Sequence, residues 1–174
     1  GLITKAAIEY PQFRQLAGTE YYEVPPTNLP PETRKLNNRQ YMFCLNDTYP
    51  GAFAGKTGWT EEAGKTLITI AERDGVTLIC VVLRASGTVD AEFKDSTALL
   101  DYGYDNFKRV TLPKEELPGV QDSQGEFAAQ TDAQILLPDA VSREALKMDV
   151  DDAHILRITA PDSAKAFMDT NVAA

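Results

Sequence analysis

The chain has 174 residues, of which 43% are hydrophobic and 25% are charged, a composition typical of folded globular proteins rather than disordered ones. Its formal net charge is -9 and its lysines and arginines are scattered, which argues against a nucleic-acid partner because phosphate contacts need a basic face. No apolar run approaches the roughly 20 residues that a membrane-spanning helix requires.

The first predicted elements are two short helices. Residues 2 to 17 carry apolar side chains at three- and four-residue spacing, the period of a helix. Pro11 cannot donate to the preceding turn, so it should divide the segment into two helices. The stretch "YYEVPPTNLPP" that follows predicts a short strand running into an irregular loop.

A three-stranded antiparallel meander is predicted for residues 52 to 84. Its strands are "AFAGKTGW", "GKTLITIAE" and "VTLICVVLR", and the last two are joined by an Asp-Gly turn, the strongest short hairpin signal. The third strand is apolar almost throughout, which predicts a central strand covered on both faces. A helix is predicted over residues 90 to 103, with Asp90 as its N-cap and Gly103 as its C-terminal stop.

The pattern of residue types changes from about residue 108, where short β-prone segments alternate with turn-forming segments. This pattern predicts a small all-β module at 108–174, following a mixed domain at 1–107. The fold class expected for the whole chain is therefore α/β, with helices packed on an antiparallel sheet.

The residues that commonly bind metals are scarce. There are two cysteines, Cys44 and Cys80, which have no metal-ligand spacing and are expected to be buried as small hydrophobic residues. The acidic run "MDVDDAH" lacks the twelve-residue calcium-loop pattern and is interpreted as a solvated turn. We therefore expect neither a metal nor a cofactor.

The tripeptide Gly-Lys-Thr occurs twice, at residues 55–57 and 64–66, and raises the question of phosphate binding. A P-loop needs a further glycine five positions before its Gly-Lys-Ser/Thr, but those positions hold Pro50 and Trp59. Neither copy precedes a helical pattern. Nucleotide binding is therefore not expected.

Lys-Thr-Gly at residues 56–58 is also one of three motifs of serine penicillin-binding proteins and β-lactamases, the others being Ser-x-x-Lys and Ser-x-Asn. The lysine supplies positive charge beside the nucleophile, and the threonine hydroxyl can bind a substrate carboxylate. Glycine removes a side chain that would block pairing along the strand edge. The tripeptide alone is weak evidence.

The sequence around it is more specific. "YPGAFAGKTGWTEEAGKTLITIAERDGVTLICVVL", followed by "DSTALLDYGYDNF" and preceded by "TNLPPETRKLNNRQYMF", resembles the low-molecular-mass penicillin-binding proteins, which are serine-type D-alanyl-D-alanine carboxypeptidases. The resemblance covers residues 5–107. The tail at 108–174 is similar, more loosely, to the β-rich domain that follows the catalytic domain in that family.

The resemblance implies roles for four residues. Lys56 corresponds to the cleft lysine and Thr57 to the hydroxyl that binds the substrate carboxylate. Gly58 clears the strand edge, and the backbone N–H of Trp59 contributes to the oxyanion hole.

The resemblance also implies a substrate contact at the start of the helix that follows the meander, where relatives often carry an arginine. Glu92 stands there in this sequence. Lys94 is the nearest cation and the remaining candidate for that contact.

The nucleophile is missing from the sequence. No serine has lysine three residues on or asparagine two residues on, among Ser86, Ser96, Ser123, Ser142 and Ser163. Both serine motifs of the family precede the region that this chain matches. The chain is thus expected to be the C-terminal part of a carboxypeptidase and inactive by itself.

The resemblance further implies a peptidoglycan stem peptide ending in D-Ala-D-Ala as substrate, β-lactams as ligands and a cell-envelope location outside the cytoplasm. Two strands of the family's sheet would lie in the preceding segment, so an exposed sheet edge should favour self-association. The alternative is a degenerate, non-catalytic paralogue that serves as a cell-envelope binding or assembly module.

Overall fold

The computed structural model describes residues 1–29, 31–44, 49–87, 89–122, 125–151, 154–161 and 172–173. These residues form antiparallel sheets with few helices, which is the α/β class predicted. They divide into two compact units, Gly1–Gly103 and Tyr104–Ala174.

The first unit begins with the two predicted helices, α1 (Leu2–Ala7) and α2 (Pro11–Ala17). Pro11 occupies the first turn of α2, where its missing N–H would have no partner anyway. Both helices contribute to an apolar cluster against the sheet, in which Ile8 packs with Ala54 and Ile70, and Ala17 lies at the margin.

A two-stranded sheet follows, formed by β1 (Tyr21–Val24) and β2 (Arg34–Asn37). β1 is the short strand that was predicted. β2 lies outside every predicted strand, because all four of its side chains are exposed and no alternation of apolar and polar residues marks it.

The predicted meander is confirmed as β3 (Ala52–Thr60), β4 (Gly64–Arg73) and β5 (Val76–Ala85). Asp74 and Gly75 both have positive φ, +50° and +74°, as a two-residue hairpin turn requires. The prediction that the third strand is central was wrong. The spatial order is β3-β4-β5, so β4 is the middle strand and β5 pairs only with β4 within the described part of the chain.

The last element that begins in the first unit is α3 (Ala91–Asn106), which extends past the predicted stop at Gly103. Gly103 serves close packing instead: a Cβ at this position would lie 2.6 Å from Leu78 Cδ1 on β5. Asp90 does precede the helix, and its carbonyl accepts the Lys94 N–H at 3.2 Å. No helix in the described ranges is long and apolar enough to cross a membrane.

The described part of the second unit consists mainly of strands, with two 3₁₀ turns. Its strands are β6 (Phe107–Leu112), β7 (Val120–Asp122), β8 (Gly125–Phe127), β9 (Ala133–Pro138), β10 (Lys147–Val150), β11 (Ile155–Thr159) and β12 (Val172–Ala173). β6 pairs with β9, β7 with β8, and β11 with both β10 and β12. A core centred on Leu112, Ile135 and Ile158 joins the two larger sheets of this unit.

The acidic run predicted to form a turn is only partly described, since residues 152 and 153 lie outside the described ranges. Within the described part, the Asp151 carboxylate accepts hydrogen bonds from the Ile155 N–H at 3.0 Å and from the Arg157 guanidinium at 2.9 Å. No group of three His, Cys, Asp or Glu residues that could hold a metal occurs in the described ranges.

Candidate functional site

A groove of about 540 Å³ lies between α2 and β3, and the Lys-Thr-Gly strand forms one side of it. Gly55, Lys56 and Thr57 line this side. Across the groove, α2 contributes apolar side chains, among them Phe13 and Leu16. We call it the Lys56 groove.

β3 presents the Lys-Thr-Gly tripeptide along a sheet edge. It pairs only with β4 within the described part of the chain, with Lys56 opposite Ile68 and Thr57 opposite Leu67. Lys56 is exposed, Thr57 is half-buried, and the Lys56 ammonium donates a hydrogen bond to the Thr57 carbonyl. Because Lys56 is exposed, its ammonium group is accessible from the groove.

The strand context does not fit a P-loop at either Gly-Lys-Thr tripeptide. The first Gly-Lys-Thr lies within β3 and the second within β4, and neither is followed by a helix. A P-loop cradle needs backbone N–H groups converging at a helix N-terminus. Neither copy therefore has the geometry of a P-loop.

Gly58 lies close to the neighbouring strand, because a Cβ at this position would stand 2.5 Å from Thr66 Oγ1. Trp59 follows on the same strand, and its ring is 70% exposed. It lies opposite Lys65 in the register of the hairpin.

A buried polar chain holds this part of the sheet. The Gln40 amide donates to the Ile68 carbonyl at 2.8 Å and to Thr69 Oγ1 at 3.1 Å, and Ser96 Oγ on α3 donates to the same Thr69 oxygen at 2.9 Å. All three polar side chains are fully buried. Ile68 is the cross-strand partner of Lys56. These buried hydrogen bonds therefore fix β4, the strand with which the Lys56 segment pairs.

Gln40 also positions its neighbours in sequence. Its backbone N–H donates to the Asn38 side-chain oxygen at 3.0 Å, and the Asn38 amide donates to the Thr19 carbonyl at 3.0 Å. These bonds hold Arg39 between two anchored residues at the rim of the Lys56 groove. Arg39 was not identified from the sequence, because it belongs to no motif and only the folded structure brings it to the groove.

Arg39 and Lys56 are the two charged residues among those that line the Lys56 groove, and both are basic. Neither forms an ion pair with a carboxylate of the described residues. In a chain of net charge -9, these two side chains make the lining of this groove locally positive.

The start of α3 departs from the expected pattern. Glu92, whose side chain is 12% exposed, forms an ion pair with Lys65 at 3.1 Å. Lys94 is exposed on α3 and is not among the residues that line the Lys56 groove. The geometry thus brings Lys56 and Thr57 together but leaves Lys94 apart from them.

The described residues that line the Lys56 groove include no serine or cysteine. The two cysteines are buried, Cys44 at 4% and Cys80 at 6% exposure, as expected from the sequence. Burial raises the pKa of both thiols above the ordinary value, so neither is activated as a thiolate.

Comparison with solved structures identifies the fold. Penicillin binding protein 6B from Escherichia coli aligns with 99% of this chain and 46% of its own length, with a TM-score of 0.60 and 21% identity. The D-alanyl-D-alanine carboxypeptidase from Mycobacterium tuberculosis H37Rv aligns with 60% of this chain and 38% of its own, with a TM-score of 0.50 and 28% identity.

A mutant of the Streptomyces K15 DD-transpeptidase gives a third alignment, over 59% of this chain and 40% of its own length, with a TM-score of 0.53 and 27% identity. No protein-family model matches the sequence. The chain spans less than half the length of these solved structures. It has the fold of the penicillin-binding proteins and D-alanyl-D-alanine carboxypeptidases, as the sequence resemblance implied.

Proposed function

We propose that this chain supplies the Lys-Thr-Gly wall of the active site of a serine-type D-alanyl-D-alanine carboxypeptidase, which trims peptidoglycan stem peptides. The observation that carries the proposal is that Lys56 and Thr57 lie on an open edge strand and line one groove. The likeness in fold to carboxypeptidases and a transpeptidase supports the same reaction class.

The reaction proceeds through an acyl-enzyme. A serine hydroxyl attacks the carbonyl carbon of the penultimate D-alanine, its proton passes to a base, and the terminal D-alanine leaves with its amine protonated. Water then attacks the ester and releases the shortened peptide and the serine. Charge develops on the carbonyl oxygen in both steps.

The residues of this chain would bind and stabilise these groups. The Lys56 ammonium supplies positive charge beside the serine, and the Thr57 hydroxyl binds the terminal carboxylate. The Trp59 backbone N–H donates to the developing oxyanion. Because Gly58 has no side chain, an extended peptide can approach the edge of β3.

Arg39 adds a second cation to this scheme. Its place at the rim of the Lys56 groove suits a carboxylate that Thr57 also binds, since a guanidinium offers two parallel donors. Lys94 remains a candidate substrate contact on α3, although it does not line the groove.

The serine would come from a polypeptide segment that carries Ser-x-x-Lys and Ser-x-Asn, and the chain by itself would not turn over. Labelling with a fluorescent penicillin tests this directly. We expect no covalent band from the 174-residue chain, and a band at the serine when it is co-expressed with such a segment. A band on the chain alone would mean that it holds a nucleophile. Failure of the combined protein to label would favour a non-catalytic envelope module.

The proposed substrate also determines the proposed location. Peptidoglycan lies outside the cytoplasmic membrane, so a chain acting on stem peptides would work there. We further propose that the open edge of β5 supports self-association when no other strand covers it.

A further inference from the structure

A second groove of the first unit, of about 800 Å³, is not used by the proposed reaction. It lies beside the β1–β2 hairpin, and its lining includes Tyr21 and Tyr41 together with several amide and charged side chains. We call it the tyrosine groove.

Both tyrosine rings are exposed and held in place. Tyr21 is 44% exposed, and its hydroxyl donates a hydrogen bond to the Glu23 carboxylate on the same face of β1. That hydrogen bond raises the pKa of Tyr21 to about 12. Tyr41 is 43% exposed and packs against Phe93 on α3, with the ring centroids 5.5 Å apart. Rings fixed in this way lose little freedom when a ligand covers them.

Polar groups stand beside these rings. Asn37 is the cross-strand partner of Tyr21, and its side-chain amide makes no hydrogen bond with the described residues, so it can donate to and accept from a ligand. The side chains that line this groove carry charges of both signs, negative on Glu20 and positive on Lys35 and Arg39. Mixed charge does not favour a polyanion, and the number of amide and charged groups does not favour a purely apolar ligand.

A sugar ring has the matching chemistry, because its C–H groups form an apolar face while hydroxyl groups surround its rim. Aromatic rings cover the apolar face, and amide or charged side chains bind the hydroxyls. From this juxtaposition we propose that the tyrosine groove binds a neutral oligosaccharide. The assignment does not depend on the proposed hydrolase activity.

The two grooves are continuous in their lining, since Asn37, Asn38 and Arg39 contribute to both. A ligand with a saccharide portion and a carboxylate-terminated portion could therefore occupy both grooves at once. Arg39, anchored on either side, is the residue through which the two portions would meet.

The test uses backbone-amide NMR spectra of the 174-residue chain titrated with tri-N-acetylchitotriose. We expect shifts confined to residues 20–23 and 35–41. Tyr21→Ala should weaken binding about fivefold, the loss of one aromatic contact. Tyr21→Phe keeps the ring and should retain most of the affinity. Tyr10→Ala, which removes a tyrosine that is 65% exposed and outside the groove, should change nothing.

The inference is overturned if the sugar causes no shifts, if the shifts lie elsewhere, or if Tyr10→Ala weakens binding as much as Tyr21→Ala. The spectrum of each variant reports whether it is folded. The penicillin labelling of the complemented protein tests the Lys56 groove separately. Absence of labelling together with sugar-induced shifts would overturn the proposed function alone, and labelling without sugar-induced shifts would overturn only the saccharide site.

Discussion

Gly55 lies directly against the side chain of Gln40: a Cβ at residue 55 would stand 2.4 Å from Gln40 Nε2 and 2.3 Å from the Ile68 carbonyl oxygen. Glycine is thus required by space here, since φ at this residue is not positive. The contact links the loop before the meander to the residue that immediately precedes Lys56. It makes the position of the Lys-Thr-Gly strand sensitive to a single methyl group.

Gly55→Ala should destabilise the first unit, because the added methyl group meets backbone that cannot rotate away. We expect a loss of about 2–3 kcal/mol in the free energy of unfolding, measured by urea denaturation. Gly1→Ala is the control, since φ there is not positive and a Cβ would meet only Val81 Cγ2 at 4.0 Å, so this variant should lose less stability. Equal losses in the two variants would show that the Gln40 contact is unimportant.

Thr69 is the centre of the buried polar chain and offers a second stability test. Thr69→Val keeps the shape but removes the acceptor for Ser96 Oγ and one acceptor for the Gln40 amide. Leaving buried donors unpaired should cost about 1–3 kcal/mol. Thr77→Val, at an exposed threonine bonded to Glu72, should cost less than about 0.5 kcal/mol in the same measurement. A neutral Thr69→Val would mean that water replaces the lost bonds.

The meander could be predicted from sequence because its information is local: β-branched runs, an Asp-Gly turn and a flanking helix all lie within one continuous segment. The buried hydrogen bonds among Gln40, Thr69 and Ser96 could not be predicted. These residues are far apart in sequence, and each is of a type usually found at the surface. Gly103 shows the same limit. It has the residue type of a helix stop, yet contact with Leu78 determines its role.

The candidate site divides in the same way. Lys56 and Thr57 were recognised because their spacing forms a motif, and the structure places both at one groove. Arg39 has no motif, and only the hydrogen bonds of Asn38 and Gln40 bring it to the same rim. Glu92 was noted as a departure from the family pattern, but its partner Lys65 lies 27 residues away along the chain (92 − 65) and emerged only from the fold.

The buried cysteines predict a dependence of stability on pH. Burial raises the pKa of Cys80 above the ordinary value of 9.0, so the folded chain keeps this proton at a pH where the unfolded chain has lost it. The contribution of Cys80 to the free energy of unfolding is therefore fully present below pH 9. It is lost as the pH rises from 9 towards the pKa of the folded state. Unfolding in urea between pH 8 and 10.5 should show a shallower decline for Cys80→Ala than for the parent chain. Identical slopes would contradict the shift.

Lys56→Met tests the proposed site in the protein complemented with a serine-bearing segment. The exposed side chain contributes little to folding, so stability should be unchanged while acylation by penicillin slows about 100-fold, the typical effect of removing one electrostatic stabiliser. Lys147→Met, an exposed lysine of the second unit, is the control and should acylate normally. Lys94→Met tests whether Lys94 contacts the substrate. A decrease in the acylation rate comparable to that of Lys56→Met would indicate such a contact.

The open edge of β5 predicts self-association of the isolated chain. Leu83 is 74% exposed on β5, which pairs only with β4 among the described residues, so the strand presents unpaired backbone groups and an apolar side chain together. Sedimentation velocity at increasing concentration should show a shift from monomer towards dimer. Leu83→Lys should suppress the shift, because a charged side chain on an edge strand opposes pairing with another strand.

Leu99→Lys is the control. It changes an exposed leucine (53%) on the surface of α3 and should leave the dimer intact. Suppression by both substitutions would point to general apolar association, and a monomer at all concentrations would mean that the edge is protected.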